Sequence, residues 1–320
     1  MKNVRLAVFG AGGVGGYFAS VLARAGYWVG LIARGQNLVA IRTNGLQVES
    51  SKGDFTVALA QATDNPQEIG PVDAVILAVK AWQVPEAAQA MRSLLSPGTK
   101  VLPLQNGVEA SAQLQQALGR EHTLVGLCRL ISAVVDPGQI RQVGPEPMVA
   151  LGEPDGAALS PNAKVLADAL AAAGVVVQTP LDIQAALWEK LLFIAAVSGT
   201  GAVARAAIGE VRNCPPTREL CLQLMREVEA VARARNIRLD EDVVPRTLAF
   251  VDSLPTAGTA SMQRDITAGK PSELEAIVGA VVRFGDSLGV PTPTMNYVYA
   301  SLLPQEWHAR GIHNLGTQTA

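Results

Sequence analysis

Apolar residues run almost unbroken over positions 4–9 and stop at Gly10. From 14 to 25 they recur at helical spacing until Gly26. The pattern predicts a strand, a tight turn and a helix. Short β-branched runs at 29–32, 72–79, 100–104 and 124–127 predict further strands, with helices at 84–95 and 110–118 between several of them. Strands alternating with helices predict a mainly parallel, doubly wound sheet. Residues 132–152 differ, because Asp136-Pro137-Gly138 and Gly144-Pro145 break the apolar runs and leave no room for crossover helices; antiparallel strands are expected there. A helix at 162–173 and a strand at 175–178 precede Thr179-Pro180, where the pattern changes.

From 183 to 299 the periodicity is helical, interrupted at Pro215-Pro216, Pro255, Pro271 and Pro291-Thr292-Pro293. The chain therefore divides into an α/β domain over 1–180 and an all-α domain over 181–320. Ser272 and Glu275 have the spacing of a capping box, followed by an apolar face of Leu274, Ile277, Val278, Val281 and Val282. The tail after Ala309 is expected to fray.

Composition narrows the functional classes. Only 17% of the 320 residues are charged and 49% are apolar, which excludes large-scale disorder. Basic and acidic residues balance, 26 against 28, and aromatics are 4%, so neither the basic stripe nor the stacking platforms of a nucleic-acid reader are present. Cys128, Cys214 and Cys221 are odd in number and lack CxxC spacing, which fits a reducing compartment, and no metal-ligand spacing occurs. The start of the chain does not read as a signal peptide. The uncharged, strongly apolar stretch at 191–204 is shorter than the ~18 residues of a membrane span. It reads as a buried helix, and the cytoplasm is the expected location.

Gly10-Ala11-Gly12-Gly13-Val14-Gly15 matches GxGxxG at a strand-to-helix junction, the context in which the motif signifies dinucleotide binding rather than a structural turn. Gly10 permits the turn and Gly12 lets backbone approach a pyrophosphate. Gly15 lets helix and strand pack, and the helix N-terminus favours the anion. About 20 residues on, where an NAD-type protein places an acid, the chain reads Ile32-Ala33-Arg34. Arg34 is suited to a 2′-phosphate, which favours NADP; its alternative reading is a solvated loop cation.

The three histidines, His122, His308 and His313, do not look like core acids, so attention moves to lysine. Lys190 stands immediately before the uncharged stretch. Burial there would lower its pKa and ease proton donation, unless it snorkels to water or pairs with Glu189. Glu273 falls at a helix start, where the dipole alone would favour a carboxylate. Asn106 precedes Gly107 in a turn dipeptide, yet it also follows a strand, as Lys80 does, where open α/β sheets bind ligands.

Taken together, the glycine motif, Val79-Lys80-Ala81-Trp82-Gln83-Val84, Gln105-Asn106-Gly107, Trp188-Glu189-Lys190-Leu191 and Ser261-Met262-Gln263-Arg264-Asp265 with Ser272-Glu273 resemble the ketopantoate reductases, or 2-dehydropantoate 2-reductases, over nearly the whole chain. The resemblance implies an N-terminal Rossmann-type domain and a C-terminal domain like that of 6-phosphogluconate dehydrogenase. It also implies NADPH as hydride donor to a 2-oxo acid, a place in pantothenate biosynthesis and a homodimer. Lys190 would then donate the proton, and Glu273 would hold cofactor or substrate and pair with the lysine. Asn106 and Lys80 would touch the cofactor, and Ser261 the substrate carboxylate. At the positions four, eight and eighteen residues beyond the lysine, where the family's pantoate-making members carry asparagines, this chain has Ile194, Ser198 and Ile208. Only Ser198 keeps a polar group, so a larger or more apolar 2-oxo compound stands beside 2-dehydropantoate, the first expected substrate, as an alternative. Two other readings share the fold: a β-hydroxyacid or opine-type dehydrogenase, opposed by the Lys-Ala-Trp-Gln string, and a non-catalytic NADP(H)-binding regulator, opposed by retention of Lys190 and Glu273.

Overall fold

The structure, a computed structural model, describes residues 4–312. These form two compact units, one built from residues 4–105 and 109–184, the other from 106–108 and 185–312. His313 and the rest of the tail lie outside the described residues. Arg310, expected to fray, is instead bonded to Glu306 and Ser272.

In the first unit the chain runs through β1 (Arg5–Phe9), α1 (Gly13–Arg24), β2 (Trp28–Ile32), α2 (Gly35–Asn44), β3 (Leu46–Ser50), β4 (Phe55–Val57), β5 (Gln61–Thr63) and β6 (Ala74–Leu77). It continues through α3 (Val84–Ala90), β7 (Lys100–Pro103), α4 (Ala110–Leu118), β8 (Val125–Asp136), β9 (Gln139–Gly152), α5 (Pro161–Ala172) and β10 (Val176–Gln178). One sheet is wholly parallel in the order β5-β2-β1-β6-β7, with Val8 opposite Leu31 on one side and Ile76 on the other. Its inner strands β2, β1 and β6 are near-continuous apolar runs because both faces are covered. Leu6 and Val8 enter one core with α1 and α5, whereas Ala7 and Phe9 enter another with α3 and α4. The strand order reverses between β1 and β6, and the carboxyl ends of those strands flank the crevice where such sheets bind ligands.

The second sheet joins β10, β9, β3 and β4, with β8 antiparallel to β9 along its length. The run at 124–127, expected as one more strand alternating with helices, is largely the start of this hairpin. The antiparallel expectation for 132–152 holds. A buried ion pair, Lys100 Nζ to Glu153 Oε2 at 3.0 Å, ties the start of β7 to the residue following β9. Burial pushes the Glu153 carboxyl up, but hydrogen bonds from Ser160 and Lys100 outweigh it and hold the pKa below the usual range. Its stability contribution is therefore present above the ordinary carboxylate pKa and lost as pH falls through the lowered value. Lys100→Met strands the carboxylate, and urea unfolding should show a loss of about 3–5 kcal/mol. With the lysine gone the Glu153 pKa rises, so the part of the acid-induced loss that this carboxyl contributes should shrink in that variant.

The second unit is helical: α6 (Ile183–Ala204), α7 (Ile208–Asn213), α8 (Pro215–Ala234), α9 (Val243–Ser253), α10 (Ser261–Thr267), α11 (Ala280–Leu288) and α12 (Pro293–Ala309). α6 is long and apolar enough to cross a membrane, but most of it is buried inside the protein. Trp188, Leu191, Leu192, Ala195 and Ala196 pack with Leu224 and Val228 of α8 and with Val281, Met295 and Val298. A helix apolar all round belongs at the centre of such a core.

Candidate functional site

The glycine loop of the first unit has the shape of an anion cradle. Gly10 leaves β1 at φ +107°, and a Cβ there would lie 2.9 Å from the Ala78 carbonyl oxygen beyond β6. A Cβ on Gly15 would lie 1.9 Å from the Gly10 carbonyl oxygen, so loop and helix can meet only with glycine at 15. At Gly12 the opposite holds, since a Cβ would meet nothing within 4 Å. Gly12 caps α1 without a side-chain bond, and no acid stands in the first turn. Open space above N–H groups that lack intrahelical partners fits a pyrophosphate. Ala11 and Val14, between these glycines, pack against the core beneath.

Asn37, which sequence reasoning missed, fixes the loop from α2. Its Nδ2 donates to the Ala11 carbonyl at 2.8 Å and its Oδ1 accepts from the Gly138 N–H at 2.7 Å. Gly13 also faces the hairpin, where a Cβ would come within 2.7 Å of the Ser132 carbonyl oxygen.

Arg34 stands just past β2 at the cap of α2, its side chain 61% exposed and 3.1 Å from Glu86, itself 66% exposed. A pair this exposed is weak, so the guanidinium can exchange its partner for a phosphate. Lys80 follows β6, its N–H donating to Gln83 Oε1 at 3.1 Å and its Nζ lying 5.9 Å from the Trp82 ring centre. Gln105, just past β7, donates to the carbonyls of Leu77 and Val79 and so ties the ends of β6 and β7 together. Its Oε1 is buried and accepts no hydrogen bond among the described residues.

In the second unit, Asn106 Nδ2 donates to Glu273 Oε2 at 2.9 Å, across 167 positions of sequence. Gly107, at φ +96°, lets this turn approach closely, since a Cβ would lie 2.5 Å from the Ala276 carbonyl oxygen. Glu273 is 6% exposed and immediately precedes the helical residue Leu274. The expected capping box is only half formed. Ser272 Oγ accepts from the Leu274 N–H at 3.2 Å, but Glu275 turns to Arg283 and the Tyr299 hydroxyl. The Ser272 N–H that the Glu275 side chain would bond in the box is taken by Glu306, and the chain winds on through a π-helical turn over Glu275–Gly279. Burial, and then the bond to Glu275, push the Tyr299 phenol up to about 12.

Lys190 lies in the third turn of α6, half-buried, with neither ion pair nor hydrogen bond among the described residues. Glu189 is held instead by Arg246 at 2.9 Å, which removes the reading in which it neutralises Lys190. The pairing of Lys190 with Glu273 implied by the resemblance is not formed; Glu273 is held by Asn106. Further along α6, Ile194 is half-buried and Ser198 buried, and Ile208 closes one wall of a small recess with Val197, Gly201, Cys221, Val251 and Gln263. Ser261 is the exposed first residue of α10. His122 is engaged through Nδ1 with the Thr99 carbonyl at 2.9 Å.

Comparison with known proteins gives concordant matches. Residues 6–156 match the family described as "Ketopantoate reductase PanE/ApbA", and residues 182–306 match its C-terminal counterpart. The 2-dehydropantoate 2-reductase of Mesorhizobium japonicum is 29% identical, over 93% of this chain and 96% of its own length. A PanE/ApbA family ketopantoate reductase from Ralstonia eutropha JMP134 superposes with a TM-score of 0.87 at 31% identity, covering 96% of this chain and 99% of that one. D-mandelate dehydrogenase in complex with NADH superposes with a TM-score of 0.82 at 25% identity, covering 94% and 98%.

Proposed function

This chain belongs to the ketopantoate reductase family of oxidoreductases, and we propose that it reduces the ketone of a 2-oxo acid with NADPH, 2-dehydropantoate to pantoate being the first candidate. The observation that carries the reading is Lys190, an ammonium half-buried on an apolar helix and without an anionic partner among the described residues. An ammonium so placed polarises a carbonyl and gives its proton to the oxygen as negative charge develops there. When bound, NADPH supplies the hydride that adds to the carbonyl carbon. Lys190 is left neutral and regains its proton from water. Asn106 holds the Glu273 carboxylate for a hydroxyl of substrate or cofactor, and Ser261 and Ser198 are the further substrate contacts. Residues 1–180 bind the cofactor through the glycine loop, Arg34 and Lys80, and residues 181–320 carry the substrate. Cys128, Cys214 and Cys221 form no disulfide among the described residues, which suits a cytoplasmic enzyme.

Arg34 supports the choice of NADPH, in contrast to the neighbour bound to NADH. A charge-assisted bond to the 2′-phosphate is worth about 1.5–3 kcal/mol, so Arg34→Ala should weaken NADPH binding by about 10–100-fold. NADH binding should not change. Fluorescence titration with both cofactors checks this, and equal effects on the two would remove Arg34 from the site.

A second substrate reading rests on Ile194 and Ile208. A hydroxyl buried without a partner costs about 1–3 kcal/mol, which disfavours a polyhydroxylated substrate and favours a bulkier, more apolar 2-oxo acid. Initial rates of NADPH oxidation with 2-dehydropantoate beside branched and aryl 2-oxo acids separate the two. The highest kcat/KM on 2-dehydropantoate supports the first reading, and a clear preference for an apolar acid supports the second. No oxidation with any 2-oxo acid would overturn both.

A further inference from the structure

Ser272, the residue beside Glu273, is completely buried, and each of its polar atoms is engaged by the far end of α12. Glu306 Oε1 and Oε2 accept from the Ser272 N–H at 3.1 and 3.0 Å, and Oε2 also accepts from the Ser272 hydroxyl at 2.5 Å. Arg310 donates through Nε to Glu306 at 2.5 Å and through Nη2 to the Ser272 carbonyl at 2.9 Å. The same hydroxyl accepts from the Leu274 N–H, and the Ile277 N–H donates to the Glu273 carbonyl at 3.0 Å. The backbone that carries Glu273 is thus fixed on both sides.

Among the described residues, the one local partner of the acid at 306 is Arg310 one turn on, and that pair does not by itself call for burial of the carboxylate. Glu306 is 2% exposed and lies in the last turn of α12, where the helix dipole disfavours a carboxylate. A buried charge pair is also weak evidence for stability, because an apolar pair of similar volume often does as well. What the carboxylate supplies here is geometry, with two oxygens receiving three donors, two from Ser272 and one from Arg310.

We propose that Glu306, braced by Arg310, is a positioning residue that holds Ser272 and thereby sets the Glu273 carboxylate against Asn106 for reaction. The proposal rests on the reading of Glu273 as part of the active site. A small displacement of a catalytic group is costly, so Glu306→Gln, which keeps the shape but loses the charge, should lower kcat by about tenfold or more while the KM for NADPH changes by less than about threefold. In a Glu273→Ala background the same substitution should change kcat by less than about twofold, because the clamp acts only through Glu273. A purely structural role would instead multiply the two losses.

A second readout needs no turnover. Amide exchange at Ser272 and Leu274 should accelerate by about tenfold in Glu306→Gln, with the first half of α12 unaffected. If Glu306→Gln does not fold, Ser272→Ala removes the hydroxyl contact alone and should give the same signature at smaller amplitude. Unchanged kcat and unchanged exchange in a folded variant would overturn the proposal. If the wild-type chain reduces no 2-oxo acid but exchange accelerates as stated, the clamp stands and the proposed reaction falls.

Discussion

Replacing Lys190 with alanine is expected to lower kcat by about 10²–10⁴-fold, the range a positioned proton donor contributes. The Kd for NADPH should stay within about twofold, because Lys190 sits on α6 of the second unit and the glycine loop lies in the first. The fold should survive as well. Lys190 makes no ion pair or hydrogen bond among the described residues, and alanine is the best helix former. Lys190→Arg is the informative companion, since it keeps the positive charge but holds its proton too tightly to donate it. Arginine should recover binding of the 2-oxo acid and little of kcat. Steady-state rates with a parallel cofactor titration check both variants, and wild-type turnover in Lys190→Ala would remove the lysine from the chemistry.

The glycine loop gives the second large effect, through two substitutions that look alike in sequence and differ in structure. At Gly15 a methyl group would sit 1.9 Å from the Gly10 carbonyl oxygen and 3.0 Å from Ala78 Cβ, both on packed backbone or core. Gly15→Ala must move helix against strand, at a cost of about 3 kcal/mol, the upper part of the range for overpacking, and NADPH binding should be lost with it. At Gly12 the backbone has φ −72°, which alanine adopts freely, and a methyl meets no protein atom within 4 Å. Gly12→Ala should therefore lower the melting temperature far less than Gly15→Ala does, by no more than the loss of a glycine N-cap. It should still weaken NADPH binding by about 10–100-fold, since the methyl enters the space kept for the pyrophosphate and costs it one or more charge-assisted bonds. Thermal melts and cofactor titration on the two variants separate the loop's packing role from its binding role.

Much of this was legible in the sequence because it is local. The loop announces itself by glycines at a strand end, and Lys190 by being the last charge before an uncharged helix. Positions 110–118 form α4 as their periodicity predicts. The strands β3, β4 and β5 were not legible. Leu46–Ser50 alternates weakly, and Phe55–Val57 and Gln61–Thr63 are three residues each. Such segments become strands because β9 and β2 offer them partners, and propensity alone does not decide it. In the site, Asn106 and Glu273 could each be singled out but not joined, because no local pattern reports a contact over such a separation. Glu306 carried no signal at all, as an acid in the last turn of a helix reads as a solvated surface residue until Ser272 is seen against it.

The central claim is that a hydride passes from NADPH to the ketone carbon of a 2-oxo acid on this chain. Incubation with NADPH deuterated at the transferring position, and mass and NMR analysis of the product, tests it directly. The account predicts a 2-hydroxy acid with a single deuterium on C2, formed by the wild-type chain and not by Lys190→Ala. Product without deuterium at C2, or unconsumed oxo acid with NADPH bound, would contradict it.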